Sequence, residues 1–378
     1  MRSVKLPDPF LREDGTRVTE PGEWAEQAAH IRGLAEEHMY GTWPGIPEAP
    51  EGELLESEPL WGGRAVRERH LLTYMGGFRL KVQVVRPAEA SRCPTIVYNA
   101  TRRSKSCPDE EDVVLRAGYG IVSYDREMIR PDYGMAAWAG YEEELRAASY
   151  PELPCGDIMA WGWGSSLVAS WLKDRGCAGP LIVTGHSRGG KAALCAGIFD
   201  DRFEVVAPMG SGCGGAGCAR YLGTLALDVQ DEGACETIGA MATHFPTWMC
   251  PRYADYGPRE APFVVGDRVA DFPIDAHMLR AACAPRAVFT SEGEEDHWAN
   301  TFGTQLCRDA AQRVYDFLGV PARNGFHIRP GGHAFNAHDW CAMVDFCDIV
   351  LGRERKLIHD DTTKRIYSID LKRYADWA

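Results

Sequence analysis

The sequence predicts an α/β protein with one doubly wound, mostly parallel β-sheet in a three-layer sandwich. Two observations predict this fold class. Short, continuously apolar segments recur along the chain, as is typical of parallel strands that are buried on both faces. Segments with helical periodicity separate them, so strands and helices alternate as in consecutive βαβ units. The 378 residues are expected to form a single domain.

The N-terminal part, about residues 1–50, is expected to contain a helix and an irregular connector. Its segment 19–41 is amphipathic, with Pro21 in the first turn and Gly41 at the end, and a proline-rich connector follows it. Segment 78–87 alternates apolar and polar residues, which predicts a strand at the edge of the sheet.

The central sheet and its helices take up most of the remaining chain. The predicted buried strands are residues 94–100, 120–125, 180–185, 203–209, 286–291 and 326–331. The predicted helices are residues 110–117, 157–174, 190–198, 275–283, 304–318 and 339–352. The insertion 210–274 is rich in glycine, tryptophan and tyrosine without a regular pattern, and we expect a lid or a substrate platform there. Segment 360–378 is expected to pack on the surface as a tail.

Charge and composition disfavour several classes of partner. The net charge of −13 and the pI of about 5.4 disfavour binding to nucleic acid and to anionic membranes. No stretch approaches the ~20 apolar residues that span a bilayer, and the N-terminus lacks the apolar core of a secretion signal. We therefore expect a cytoplasmic protein whose 13 cysteines are mostly buried free thiols. Neither a metal nor a cofactor is predicted, and the sequence does not indicate the oligomeric state.

A candidate nucleophile lies in the segment Gly185-His186-Ser187-Arg188-Gly189, which has the pattern G-x-S-x-G. The segment follows a predicted strand and begins a predicted helix, and a sharp turn between the two needs glycines. Such a turn raises the serine hydroxyl above the end of the sheet. Ser187 is therefore the predicted nucleophile, and the alternative is an ordinary serine that caps the helix.

A serine hydroxyl needs a base to take its proton, and two histidines after the last predicted strand are candidates. His333 follows two glycines directly after the strand, so a loop can carry it back to the serine. His338 precedes an aspartate and a tryptophan and is expected to open the final helix. His333 is therefore the predicted base.

The third catalytic group is expected to be a carboxylate that holds the imidazole in one tautomer. It commonly follows the strand before that of the histidine, where the chain reads EGEEDHWAN. Four carboxylates compete there, Glu292, Glu294, Glu295 and Asp296. The chain order of serine, Asp296 and histidine is the usual one in this arrangement.

Several segments together resemble one known family. GHSRGGKAAL is similar to the serine signature of glucuronoyl esterases, carbohydrate esterase family fifteen. SGCGGAGCAR, ETIGAMATHFPTWM, DAHMLRAACAPRAVFTSEGEEDHWAN and GGHAFNAHDWCAMVDF resemble further family blocks in the expected order, and the N-terminal segment resembles that of bacterial members. The resemblance covers nearly the whole chain. It implies an α/β-hydrolase fold and the cleavage of esters between glucuronic acid on xylan and alcohols of lignin.

The resemblance also implies roles for individual residues, with the serine and the histidine named above as nucleophile and base. Arg188 would offer its backbone N–H and its side chain to the oxyanion. Lys191 would reach hydroxyl groups of the sugar, and Trp298 would line the sugar site. Glu236 lies in a block where relatives carry a glutamate that binds the sugar.

The two cations beside Ser187 also suit ester chemistry by themselves. Attack on an ester builds negative charge on the carbonyl oxygen, and one prearranged donor there lowers the barrier by about 3–4 kcal/mol. Arg188 is a permanently charged donor, and Lys191 lies one helical turn after the serine, on the same side. The alternative is that Arg188 and Lys191 form structural ion pairs.

Aromatic rings are further candidates for binding a sugar, because they flatten against its C–H faces. Trp248, Trp298 and Trp340 are the candidates, and Trp298 is favoured because it lies two residues from a candidate acid. Trp161 and Trp163 lie in a helical pattern and are expected in the core.

Two places depart from the family pattern. Many members carry the acid after the strand that follows the serine helix, but that place reads PMGSGCGG, with Gly210 and Ser211. Asp296 holds the alternative position that some bacterial relatives use, so the resemblance makes it the predicted acid. A loop that often contains glycine and asparagine, and that provides the second oxyanion donor in this fold, reads VYNATRRSKS. Its cations are expected either to attract an anionic substrate or to be solvated, and they are Arg102, Arg103 and Lys105.

Three functions are compatible with the sequence. The favoured one is a serine esterase that cleaves esters of (4-O-methyl-)glucuronic acid through an acyl-enzyme, on a small-molecule or oligosaccharide substrate. The second is a hydrolase of other carbohydrate esters, such as acetylxylan. The third is a catalytically silent binding protein, which the missing carboxylate near Gly210 suggests. An enzyme is favoured because a nucleophile, a base and an acid are all present.

Overall fold

The computed structural model describes residues 4–90, 92–101, 108–132, 153–176, 178–223, 235–258, 260–359 and 365–378. These residues form a nine-stranded sheet with helices on both faces. The strands are β1 (Glu51–Leu60), β2 (Ala65–Tyr74), β3 (Phe78–Pro87), β4 (Cys93–Ala100), β5 (Gly120–Asp125), β6 (Ala178–His186), β7 (Phe203–Met209), β8 (Ala287–Gly293) and β9 (Asn324–Arg329). The helices are α1 (Trp24–Ala35), α2 (Pro108–Arg116), α3 (Asp157–Asp174), α4 (Arg188–Phe199), α5 (Ile238–His244), α6 (Ala276–Ala281), α7 (Thr301–Phe317) and α8 (Ala337–Val350).

The sheet is antiparallel at one edge and parallel elsewhere. Its strand order is β1-β2-β3-β5-β4-β6-β7-β8-β9. The first four strands of this order pair antiparallel, and all later neighbours pair parallel. After β4, the chain adds β5 on one side and then β6 to β9 in order on the other side. The predicted doubly wound, mostly parallel sheet is confirmed, and the loops after β6, β7, β8 and β9 meet at one edge of it.

Adjacent residues of the central strands face two different apolar layers. Val97 of β4 and Val183 of β6 pack in one cluster with α1, α3 and α4. Ile96 and Ile182, one residue earlier in each strand, pack in a second cluster with α2 and α8. All residues of β4 are buried, which explains why its sequence is continuously apolar. The two clusters give the three layers that the sequence predicts.

The antiparallel edge differs from the prediction. The predicted edge strand 78–87 is β3, but it is not at the edge, because β2 pairs with it and β1 forms the edge of the sheet. β1 reads EGELLESEPL and is mostly exposed, so it lacks the apolar face that identifies a strand. Charged pairs across the two strands help to hold it: Arg67 donates to Glu58 at 2.7 Å, and Arg69 pairs with Glu56.

The N-terminal and C-terminal segments pack together. The predicted N-terminal helix is present, and the chain leaves it at Gly41, whose φ of 88° favours glycine. The Leu6 N–H donates to the Tyr374 carbonyl at 2.8 Å, and the Trp377 indole N–H donates to the Leu6 carbonyl at 2.9 Å. Residues 365–378 therefore form a surface tail, as predicted.

The insertion 210–274 contains α5 and irregular segments, and its residues 224–234 lie outside the described part. Its role as a lid and the single-domain organisation stay predictions. No helix among the described residues has the length and apolar character needed to cross a membrane, and a cytoplasmic location stays a prediction. Eleven cysteines are described, all are free thiols, and most of them are buried.

Candidate active site

Ser187 lies at a strained turn between β6 and α4. Its φ of 57° and ψ of −123° are unfavourable for any residue other than glycine. The backbone holds the turn, since the Ser187 N–H donates to the Met209 carbonyl at 2.9 Å and the Lys191 N–H donates to the Ser187 carbonyl at 3.0 Å. Ser187 is half-buried. A strained strand–turn–helix of this kind is typical of a nucleophilic serine.

Two glycines allow this turn because the backbone approaches itself closely. A β-carbon at Gly185 would overlap with the carbonyl group of Gly189. A β-carbon at Gly189 would lie 2.8 Å from the carbonyl oxygen of Asn99 at the end of β4. Both positions of the G-x-S-x-G pattern therefore require glycine for packing.

His333 and Asp296 form a hydrogen-bonded pair beside the turn. Nδ1 of His333 lies 2.6 Å from Oδ2 of Asp296, and Oδ1 of Asp296 accepts the Ala299 N–H at 3.1 Å. The aspartate side chain is 1% exposed, whereas the histidine side chain is 34% exposed. The ring of His333 lies 4.5 Å from that of His186, the residue before Ser187. The structure thus brings the predicted acid and base together next to the predicted nucleophile.

The three glutamates that compete for the role of acid have other surroundings. Glu294 and Glu295 are exposed. Glu292 is buried, and neither of its carboxyl oxygens has a hydrogen-bond partner among the described residues. Burial, and then the nearby carboxylates of Asp296 and Asp339, raise the pKa of Glu292 well above its usual value. The carboxylate that binds His333 is therefore that of Asp296.

His186 is a residue that the sequence analysis does not single out. Burial, and then the neighbouring His333, lower the pKa of His186 to about 3, so its ring is neutral at pH 7. The ring packs between His333 and Phe335, which stacks on it at 6.1 Å. The second position of G-x-S-x-G accepts any residue, so the pattern holds no signal for this contact.

Arg188 has its side chain in an ion pair with a buried aspartate, and the arginine itself is half-buried. Its Nη1 donates to Oδ2 of Asp132 at 2.6 Å, and its guanidinium lies 4.8 Å from the ring centre of Trp248. Asp132 also accepts from the indole N–H of Trp248 at 3.3 Å. Trp248 is 2% exposed, so it supports the arginine and does not offer the open face that a sugar platform needs.

Lys191 and Glu236 form a second ion pair, in which both side chains are buried. Nζ of Lys191 donates to Oε2 of Glu236 at 2.6 Å and to the Ser211 carbonyl at 2.5 Å. Burial raises the pKa of Glu236, although Lys191 opposes this change. The Glu236 N–H donates to the carbonyl of Trp298 at 3.0 Å. Trp298 is half-buried and packs edge-on to Phe263, with 6.3 Å between ring centres.

The remaining candidates are tryptophans in the core, a histidine at the start of a helix, and cations outside the described residues. Trp340, Trp161 and Trp163 are buried in the core, and His338 lies in the first turn of α8. Trp340 is therefore not available to a sugar. The three cations of the loop after β4 lie outside the described residues, and they are Arg102, Arg103 and Lys105.

One group of side chains in the described part of the chain has donor atoms close enough to hold a metal. These atoms of Cys218, Asp275 and Cys307 lie within 4.8 Å of one another. However, Asp275 already accepts from the Arg220 guanidinium at 2.9 Å and from the Ala219 N–H at 3.0 Å. A cation at this place would meet the charge of the arginine, so this group is explained as a structural ion pair.

Several known proteins with a similar sequence and fold are carbohydrate esterases or glucuronoyl esterases. The family model described as glucuronyl esterase, fungi, matches residues 82–319. A carbohydrate esterase from an unknown prokaryotic organism is 27% identical, covering 91% of this chain and 89% of its own. A 4-O-methyl-glucuronoyl methylesterase from Schizophyllum commune is 27% identical, covering 90% of this chain and 79% of its own.

Solved structures agree with this result. A glucuronoyl esterase of carbohydrate esterase family 15 from Caldicellulosiruptor kristjansonii is 27% identical, with a TM-score of 0.74, and covers 98% of this chain and 95% of its own. A promiscuous esterase of the same family from a marine bacterial metagenome is 26% identical, with a TM-score of 0.72, and covers 91% of this chain and 96% of its own. The resemblance seen in the sequence and the α/β-hydrolase fold are confirmed, and the chain belongs to the glucuronoyl esterase family.

Proposed function

We propose that this protein is a serine carbohydrate esterase that hydrolyses esters of glucuronic acid, including the 4-O-methylated sugar, through an acyl-enzyme. The observation that carries the proposal is the 2.6 Å hydrogen bond between His333 and Asp296 beside the strained turn of Ser187. Relatives named 4-O-methyl-glucuronoyl methylesterase support the choice of substrate. A binding protein without catalysis would have no need of such a pair next to a strained serine.

In the first step, Ser187 Oγ attacks the ester carbonyl carbon while Nε2 of His333 takes the hydroxyl proton. Nε2 is the nitrogen available for this transfer because Nδ1 is bonded to Asp296. The C–O bond to the alcohol then breaks, and the alcohol leaves with the proton from Nε2. The glucuronoyl group stays on Ser187 as an ester.

In the second step, a water molecule attacks this ester. Nε2 of His333 takes one proton from the water and passes it to Ser187 Oγ as the acyl bond breaks. Glucuronic acid leaves with the second proton of the water and releases it to solvent as glucuronate forms, and the enzyme returns to its starting state. Asp296 keeps its charge throughout and stabilises the imidazolium that forms in each step.

Donors for the carbonyl oxygen are expected at the first turn of α4. Arg188 is its first residue, and the first N–H groups of a helix have no partner within the helix. The Arg188 side chain is held by Asp132, so the positive charge of the guanidinium stays close to the first turn of α4. Loss of one such donor typically costs about 10²–10³ in kcat.

The sugar is proposed to bind over Lys191, Glu236 and Trp298. The resemblance to glucuronoyl esterases supports the lysine and the glutamate, which are buried and paired with each other and could give a sugar hydroxyl group a donor and an acceptor. The half-buried indole offers an apolar edge. Trp248 is proposed to support Arg188 from below. Esters of the glucuronic acid side chains of xylan, or of oligosaccharides derived from it, are the proposed natural substrates.

Hydrolysis of benzyl glucuronate by the purified protein tests this function. We expect release of benzyl alcohol by the wild type and none by the Ser187→Ala variant, which should keep the wild-type melting temperature. Acetylated xylo-oligosaccharides serve as the comparison, because one relative of the chain is a promiscuous esterase. Cleavage of acetyl esters without cleavage of benzyl glucuronate would replace the proposal with the second candidate, a carbohydrate deacetylase.

A further inference from the structure

The loop that carries His333 is a poor platform for a catalytic base unless something holds it. The loop joins β9 to α8, and residues 330–336 have no helix or strand. Residues 332–334 are exposed. A catalytic group must stay within a fraction of an ångström of its productive position, and a misplacement of 1 Å can cost about 100-fold in rate.

Arg329, at the end of β9, holds the loop on both sides of the histidine. Its Nη2 donates to the carbonyl of Gly332 at 3.2 Å and to that of Ala334 at 2.6 Å. Its Nη1 donates to the carbonyl of Pro330 at 3.0 Å. Because these carbonyl groups belong to residues before and after His333, the guanidinium fixes the backbone from which the imidazole projects.

The guanidinium is itself fixed by Asp339. Nε of Arg329 donates to Oδ2 of Asp339 at 2.8 Å, and both side chains are buried. Asp339 also accepts from the Asn336 N–H at 2.9 Å and from the Ser291 hydroxyl at 2.5 Å. The carboxylate therefore ties the start of α8 and the end of β8 to the arginine.

Other contacts in the described part of the chain hold this loop near its ends. The ring of Phe335 stacks on those of His186 and Trp340. The Glu295 N–H donates to the Gly331 carbonyl at 3.1 Å, which joins the acid loop to the residues before the histidine. Asp296 holds the imidazole through one hydrogen bond, but it does not hold the backbone. In the described residues, side-chain hydrogen bonds to the carbonyls on both sides of His333 come from Arg329.

We propose that Arg329, braced by Asp339, is a positioning residue that keeps His333 within reach of Ser187. The inference rests on the proposed role of His333 as the base. Arginine suits the task because its planar fork places donors in three directions at once, whereas a lysine ammonium on a flexible stem cannot reach the same set. The residue does not touch substrate, and it acts through the loop.

The test measures how fast a fluorophosphonate probe labels Ser187, because labelling needs the serine and its base but no sugar. We expect Arg329→Met to lower the labelling rate by about 100-fold and Arg329→Lys to lower it less. Added guanidinium ion should restore part of the rate in Arg329→Ala. In benzyl glucuronate hydrolysis, kcat should fall while KM stays close to the wild-type value.

Arg355→Met is the matched control, because Arg355 pairs with the buried Asp345 farther along α8. It should lower the melting temperature and leave the labelling rate of the folded protein close to wild type. Equal labelling rates in folded Arg329→Met and Arg355→Met would overturn the inference. If the wild type reacts with the probe but does not hydrolyse benzyl glucuronate, the proposed substrate fails and the inference is still tested.

Discussion

Two carboxyl groups, four residues apart at the end of β8, have contrasting surroundings. Asp296 accepts hydrogen bonds from His333 and from the Ala299 N–H. Glu292 is fully enclosed, has no hydrogen-bond partner in the described part of the chain, and has a pKa well above its usual value because of burial. The first can orient an imidazole as a carboxylate, whereas burial favours the neutral form of the second.

Exchange of each carboxyl group for its amide separates these roles. Asp296→Asn should lower kcat for benzyl glucuronate by about 10⁴-fold, because the amide stabilises the wrong tautomer of His333. Glu292→Gln should leave kcat within a few-fold of the wild type, because the Glu292 carboxyl group does not bind His333 and an amide has the shape of the neutral acid that burial favours. Steady-state kinetics and circular dichroism of both variants provide the measurement. A large loss in Glu292→Gln with little loss in Asp296→Asn would exchange the two assignments.

Only part of this site can be predicted from the sequence, because the contacts of individual side chains depend on their local burial. The order of strands and the position of loops at strand ends indicate which segments converge, and these are legible in the chain. The family resemblance favours Asp296 among the four carboxylates of EGEEDHWAN. Composition alone does not choose between them, because the choice depends on how far each is buried and on which one contacts the histidine. Likewise, the sequence is compatible with either a catalytic role or a structural ion pair for Arg188 and Lys191. In the structure, Arg188 pairs with Asp132 and Lys191 pairs with Glu236.

At the scale of elements, the strand-to-helix turn depends on backbone contact. Gly185→Ala should lower the free energy of unfolding by about 1–3 kcal/mol, because its β-carbon would overlap with the carbonyl of Gly189 and force the start of α4 to move. Activity should fall as well. Gly33→Ala, in α1, has open space around the new β-carbon and should stabilise by up to about 1 kcal/mol.

Urea unfolding of these two variants provides the measurement. An unchanged free energy of unfolding in Gly185→Ala would mean that the turn tolerates a side chain and that the glycine pattern is not a packing requirement.

The burial of each strand explains which strands can be predicted from the sequence. The buried parallel strands are apolar throughout, as β4 is, and were found from the sequence. β1 and β2 were missed because β1 is mostly exposed and β2 is buried at only a few positions, so neither has a clear apolar face.

At the scale of the whole molecule, His277 joins segments that are far apart in the chain. Its Nε2–H donates to the Pro7 carbonyl at 2.8 Å, and its ring stacks on Trp377 with 5.7 Å between ring centres. The ring is buried, and its Nδ1 has no hydrogen-bond partner among the described residues. Burial lowers the pKa of His277 to about 4, so the ring is neutral in the folded protein at pH 7.

This burial makes folding sensitive to acid. Between pH 6.5 and about 4 the unfolded chain binds a proton at His277 that the folded protein does not bind, so the free energy of unfolding falls as the pH falls. The full difference corresponds to roughly 3 kcal/mol at most.

The variant His277→Gln tests this. It keeps a donor for the Pro7 carbonyl and carries no titrating group. Its free energy of unfolding, measured in urea, should decline less between pH 7 and pH 4.5 than that of the wild type. His186 has its own lowered pKa and is unchanged in this variant, so part of the acid sensitivity should persist. Identical pH dependence in the two proteins would show that the contact between the chain's two end segments does not respond to protonation of His277.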